Sequence, residues 1–149
     1  MKKKNILAIA PHADDVEIAM GGTIARYVDE GHNVTIVTAI IPQEDSKGKI
    51  DSFMSKNRLD EQKNAAKILG AKLDVMNLDP YEFDFNRKYI KIFDDKINQL
   101  KPDIIFSCWE HDTHQDHKKL AQILFSVTRK NNISFNMYEV MLPGGINTY

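Results

Sequence analysis

Five apolar residues, Ile6-Leu7-Ala8-Ile9-Ala10, run almost directly into His12-Ala13-Asp14-Asp15-Val16-Glu17. That junction constrains the chain more than any other stretch. The apolar run is of the kind found in strands buried on both faces. One histidine and three carboxylates crowd the six positions from His12 to Glu17, and like charges that close repel unless a cation neutralises them. A histidine and a carboxylate at i, i+3 can reach one divalent metal, which alone is a weak signal. It gains weight because a second polar cluster, His111-Asp112-Thr113-His114-Gln115-Asp116-His117, also follows an apolar run.

Between the two clusters, strand and helix patterns alternate. Met20, Ile24, Tyr27 and Val28 recur at helical spacing, with Gly31 as a C-terminal cap. Val34 to Ala39 is β-branched and predicts a second strand. Residues 40 to 54 have no clear period and predict a long, functional loop. Leu59, Gln62, Ala66 and Leu69 share one helical face that ends at Gly70, and Leu73 to Leu78 predicts a third strand. Asp79 to Arg87 predicts a polar, aromatic turn region around Pro80. Ile90, Phe93, Ile97 and Leu100 form a helical stripe stopped by Lys101-Pro102, and Ile104 to Phe106 predicts a fourth strand. After the second polar cluster, Leu120, Ile123, Leu124 and Val127 predict a last helix, and Phe135, Met137 and Val140 alternate as a fifth strand.

Alternation of this kind predicts an α/β fold, a parallel sheet covered by helices on both faces. Right-handed crossovers that reverse direction once give the strand order 3-2-1-4-5. Strands one and four are then neighbours, and both polar clusters leave the same edge of the sheet side by side. With 149 residues and no repeat or linker, one domain is expected.

His12, Asp15 and His117 form a candidate set of three metal ligands, suited to Zn²⁺ and also to Fe²⁺ or another divalent metal. Such a site lowers the pKa of water to about 7 and polarises a carbonyl. Asp14, beside a ligand, is the candidate general base. His114 is placed to stabilise an oxyanion or to protonate a leaving amine, and Asp116 to orient one of the imidazoles from behind. Other residues have structural readings. Glu17 suits the positive end of the following helix, His32 an inert turn position, and Cys108 a small buried side chain. His111 reads equally as a loop residue or a pocket wall, and Asp112 as a helix cap or a pocket residue. Arg58, on periodicity alone, is a solvated helix residue.

Taken together, Ala10-Pro11-His12-Ala13-Asp14-Asp15-Val16-Glu17, Gly21-Gly22-Thr23 and His114-Gln115-Asp116-His117 resemble the LmbE/PIG-L family of metal-dependent de-N-acetylases. Arg58-Leu59-Asp60-Glu61 with Ala65-Ala66 and Leu69-Gly70 resembles the family's intermediate block. The resemblance implies a Rossmann-like fold, usually with zinc, and hydrolysis of an N-acetyl group on a GlcNAc-type sugar. It implies His12, Asp15 and His117 as ligands, Asp14 as base, His114 as electrostatic or acid partner, and Arg58 as a substrate contact. Ala13 and Gln115 stand where the family most often has proline, and neither is a ligand position. Family members usually continue well past a segment like Tyr138–Tyr149, so residues 1–149 are expected to be either a short member or one without the usual C-terminal elements. An open pocket and a homo-oligomer that closes it follow as expectations.

Composition narrows the alternatives. A net charge of −1 argues against a nucleic-acid partner. No stretch approaches the roughly 20 apolar residues of a membrane span, and the run behind Lys2-Lys3-Lys4 is too short for a signal peptide. With a single cysteine, this points to a cytoplasmic chain, and the resemblance implies a small N-acetylated sugar as its partner. A nucleotide-binding module is disfavoured, because the first strand leads into carboxylates and not into a glycine-rich phosphate turn. Two alternatives stand beside the deacetylase: a hydrolase of another small amide or carbamoyl bond, and an inactive metal-binding subunit.

Overall fold

The segment Asn5–Ala10 forms β1, the centre of the sheet, and Ile6 to Ala10 are all buried. The computed structural model describes residues 2–41, 52–129 and 132–140. After β1 come α1 (Asp15–Asp29), β2 (Asn33–Thr38), α2 (Ser52–Leu69), β3 (Lys72–Val75), α3 (Arg87–Leu100), β4 (Ile104–Cys108), α4 (Gln115–Thr128) and β5 (Ser134–Tyr138). The sheet is parallel throughout, in the order β3-β2-β1-β4-β5. Helix α1 packs against α2, and α3 against α4, as right-handed crossovers require when the winding reverses at β1. The expected α/β architecture is therefore the observed one. Most of the expected loop at 40–54 lies outside the described residues; α2 already begins at Ser52.

Two segments differ from expectation. The third strand ends at Val75, not Leu78, because Asn77 takes a left-handed φ of 50°. The amides of Met76 and Leu78 nevertheless keep donating to Thr38 O and Ala39 O of the β2 exit. The segment before α3 is also less polar in its role than in its composition. Phe83 is buried there, edge-on to Tyr89 with ring centroids 5.2 Å apart. Burying a side chain of that size contributes about 1.5–3 kcal/mol, enough to pull the turn onto the core. The buried stripe of α3 is accordingly Tyr89, Phe93 and Ile97, while Ile90 and Leu100 are half-buried. Asn86 caps this helix by accepting from Tyr89 N, and the left-handed Lys101 before Pro102 ends it.

The feature that positions the site is a divergence of strands. β1 stays paired with β2 as far as Ala10↔Thr38, and β4 with β5 as far as Cys108↔Tyr138. Between β1 and β4 the pairing stops earlier, at Ala8↔Phe106. The two central strands part at their carboxyl ends, which is where doubly wound sheets open a crevice.

Gly70 closes α2 with φ +71°, and a Cβ there would lie 2.8 Å from Val28 Cγ1 of α1. Both the conformation and the stiff β-branched neighbour oppose a side chain. Gly70→Ala should therefore destabilise the chain by about 1–3 kcal/mol, read as a lower urea midpoint with an unchanged slope.

Candidate metal and catalytic site

Asp15 is the first residue of α1, and its carboxylate is buried. The Oδ2 atom accepts from the His12 backbone amide at 3.0 Å. It also lies 3.5 Å from His12 Nδ1 and 3.4 Å from His117 Nε2. The outer nitrogens of both rings are held by carboxylates in turn: His12 Nε2 is 3.2 Å from Asp116 Oδ2, and His117 Nδ1 is 2.8 Å from Asp112 Oδ2. His114 is the N-cap of α4, where its Nδ1 accepts from Asp116 N at 3.2 Å. Its ring stands edge-on to His12, with centroids 4.8 Å apart.

These are the groups that the sequence places after strands one and four, and the divergence of β1 from β4 brings them together. One ligand nitrogen from each of His12, His114 and His117 falls in a group no wider than 4.8 Å, so these three imidazoles could hold a metal ion. The donor chemistry fits a divalent cation in a second way. Tetrahedral bonds of about 2.0–2.1 Å place ligand atoms about 3.3–3.4 Å apart, close to the two distances from Asp15 Oδ2 to the imidazoles. Each of those imidazoles also has its far nitrogen paired with a carboxylate, the arrangement that orients metal-binding histidines.

The same carboxylates favour the protonated imidazoles. Burial pulls His12 down, but its hydrogen bonds to Asp116 and Asp15 win and push it up to about 9. His117 is raised in the same way, against burial, chiefly by Asp15. Burial opposes ionisation of Asp15 and Asp116, yet the imidazoles hold both carboxyls below their usual range. His114 goes the other way: burial and the charges of His12 and His117 lower it.

Asp14, next to Asp15, points elsewhere. Its φ of 82° puts it in the left-handed region, and its side chain makes no capping bond. It is exposed, with Oδ2 accepting from Arg58 Nη1 of α2 at 2.8 Å. Arg58, solvated by periodicity and a substrate contact by resemblance, is thus tied to Asp14. Of its two alternatives Asp112 takes the site role and not the helix cap: Oδ2 holds His117 and Oδ1 accepts from His114 N before the helix, while His114 itself caps α4. His111 lies outside the imidazole group, exposed beside Glu110 and Trp109. Glu17 accepts from Gln62 Nε2 at 3.3 Å, and burial raises its carboxyl. His32, expected to be an inert surface residue, has a largely covered ring whose Nδ1 accepts from Lys4 N. Cys108 is buried as expected, its thiol pushed up to about 12 by desolvation.

The profile of the GlcNAc-PI de-N-acetylase (PIG-L) family matches residues 7–128, and the chain belongs to that family. It is 31% identical over 124 residues to the diacetylchitobiose deacetylase of Thermococcus kodakarensis, covering 77% of this chain and 45% of that protein. It is 30% identical over 132 residues to the uncharacterized deacetylase YaiS of Escherichia coli, covering 81% and 66% respectively. The chain thus spans about half to two thirds of these relatives. The fold matches the conserved protein TT1542 of Thermus thermophilus with a TM-score of 0.79 at 21% identity, over 94% of this chain and 68% of that one. No described helix is long and apolar enough to cross a membrane.

A chelator-stripped chain should show the imidazole–carboxylate pairs in its pH response. His12 goes from the ordinary 6.5 when unfolded to about 9 when folded. Its stabilising contribution is complete below pH 6.5 and is lost as pH rises through 9. Asp116→Asn removes its strongest favourable partner, so the variant should be less stable than the parent at about pH 6, and the gap should narrow by about pH 10. Urea midpoints across that range check this.

Proposed function

We propose that this chain carries the catalytic centre of a zinc-dependent hydrolase that removes the N-acetyl group from a GlcNAc-type sugar. The observation that supports it best is the buried Asp15 carboxylate between His12 Nδ1 and His117 Nε2, with Asp116 and Asp112 on the outer nitrogens. In this reading His12, Asp15 and His117 are the ligands. Two neutral nitrogens and one carboxylate suit zinc, and Fe²⁺ next. When bound, the metal supplies a Lewis acid for the amide carbonyl and makes water more acidic.

The remaining steps fall to the protein's own side chains. Asp14 takes the proton from the water that attacks the amide carbon. Arg58, held against Asp14 at 2.8 Å, fixes that carboxylate and offers its other N–H groups to the sugar. His114 stands on the opposite cluster, with its Nδ1 engaged in the helix cap. Its remaining ring nitrogen, Nε2, carries the proton and donates a hydrogen bond to the oxyanion, while Asp14 hands the water's proton on to the amine as the C–N bond breaks. Acetate and a free amino sugar leave. The GlcNAc-type substrate is supported by family membership and by relatives named as deacetylases.

The three-imidazole group favours a second ligand set, in which His114 binds the metal. His114→Ala separates the two. Under the proposed roles it keeps its metal and loses rate; under the second it loses metal, as His12→Ala and His117→Ala should. Elemental analysis of the purified variants reads the difference.

Asp14→Asn tests the base. Asparagine tolerates the left-handed conformation as well as aspartate does, so the backbone is preserved and only the charge is lost. The variant should bind metal like the parent and lose about 10²–10⁴-fold in acetate release from N-acetyl sugars. Near-normal turnover, or loss of the metal, would show that the two adjacent aspartates have other roles. A parent chain that holds zinc but releases acetate from no N-acetyl sugar would favour another small amide as substrate.

A further inference from the structure

The site has a floor whose hydrogen bonds are not needed for the fold's ladder. Carbonyls alternate sides along β1: Ala10 O accepts from Ala39 N beyond β2, and Asn5 O from Asp103 N before β4. Odd-numbered carbonyls of β1 therefore face β4. Ile9 O is one of them, but the β1–β4 register ends at Ala8↔Phe106, so the next rung is not formed. A buried carbonyl without a donor costs free energy comparable to a lost hydrogen bond. The Tyr138 hydroxyl supplies the donor, reaching from β5 past β4 to Ile9 O at 2.8 Å. Its register partner Cys108, the last residue of β4, donates from Sγ to His117 O at 3.1 Å.

One cross-strand pair thus grips both halves of the site. Tyr138 holds β1 three residues before His12, and Cys108 holds the first turn of α4 at His117. We propose that Tyr138, together with Cys108, is a positioning residue that sets the separation of the two ligand-bearing clusters and so the geometry of the metal site. The hydroxyl wedges the crevice at a fixed width, standing where a direct β1–β4 rung would draw the strands together. The thiol fixes the backbone of His117, while Asp112 fixes its ring. This inference rests on the proposed ligand set of His12, Asp15 and His117.

The test uses the full chain and the metals themselves. Zinc affinity is measured by chelator competition, and the Co²⁺-loaded protein's visible absorption reports ligand geometry. Tyr138→Phe keeps the ring and removes only the donor. It should weaken zinc by about 10–100-fold, the range for groups that orient ligands, and shift the cobalt bands. Thr128→Val is the control, because it removes a buried hydroxyl that donates to Leu124 O at 2.8 Å within α4. It should lower the melting temperature and leave both metal readouts unchanged. Cys108→Ala should weaken zinc, whereas Cys108→Ser, which retains a donor, should bind nearly as the parent does. The serine rescue also keeps the inference testable should Tyr138→Phe fail to fold. Parent-like zinc affinity and cobalt bands in Tyr138→Phe, or in Cys108→Ala, would overturn the inference while leaving the ligand set standing. A parent chain that binds neither metal, or binds them equally well as His12→Ala, would overturn the ligand set and the inference with it.

Discussion

A carboxylate removed from water must find compensating charge and hydrogen bonds, because desolvating an unpaired ion costs several kcal/mol. Asp15 is such a carboxylate, and the site is arranged around its needs. One backbone amide and two imidazoles converge on Oδ2. Its place as the first residue of α1 adds the positive end of a helix. Asp116 repeats the device in the first turn of α4. Two helix N-termini thus face one crevice, each stabilising a carboxylate, and the imidazoles lie between them. A divalent cation and a pair of protonated imidazoles answer the same excess of negative charge. That equivalence is why His12 and His117, the histidines proposed as ligands, are the ones whose proton affinity is raised.

The fold makes this convergence easy. His12 and His117 are far apart in sequence, yet each follows a central parallel strand of the same sheet. Reversal of winding at β1 makes β1 and β4 neighbours, so the two clusters meet as a consequence of topology. Within them, a single residue takes a strained backbone. Asp14 adopts φ 82°, a conformation that costs a non-glycine residue of order 1 kcal/mol and that aspartate tolerates better than most.

Much of this is legible in the amino-acid order, for a reason specific to parallel α/β chains. Their chemistry sits at strand exits, so a polar cluster directly after an apolar run carries positional information. His12, Asp15, Asp116 and His117 are readable on that basis, as is the strand order. Asp112 does not resolve between cap and pocket because it bonds both the backbone just before α4 and the His117 ring, while the cap itself falls to His114. Tyr138 carries no local signal at all. Its partner is Ile9, at the other end of the chain, and the contact exists only because β1 and β4 diverge, which no periodicity reports. Phe83 is hidden for a related reason. One of three aromatics in a polar turn, it is told apart from exposed Tyr81 and Phe85 only when Tyr89 is found against it.

The contrast between Asp14 and Asp15 shows how one backbone angle can divide labour between adjacent identical residues. Had Asp14 entered α1 with ordinary extended cap geometry, its side chain would have been free to bond the first-turn amides, as aspartates at that position commonly do. The left-handed turn removes that option, and no such bond forms. The carboxylate instead projects outward and meets Arg58 of α2, while the next residue turns inward to the imidazoles. One aspartate is therefore buried and committed to holding charge in place, and its neighbour is exposed and available to a substrate. A base needs that availability, since it must exchange its proton within each turnover. A ligand needs the opposite, a fixed position that solvent does not reach. The sequence Asp-Asp suits both proposed roles because the chain reverses its handedness for a single residue between a buried strand and a helix.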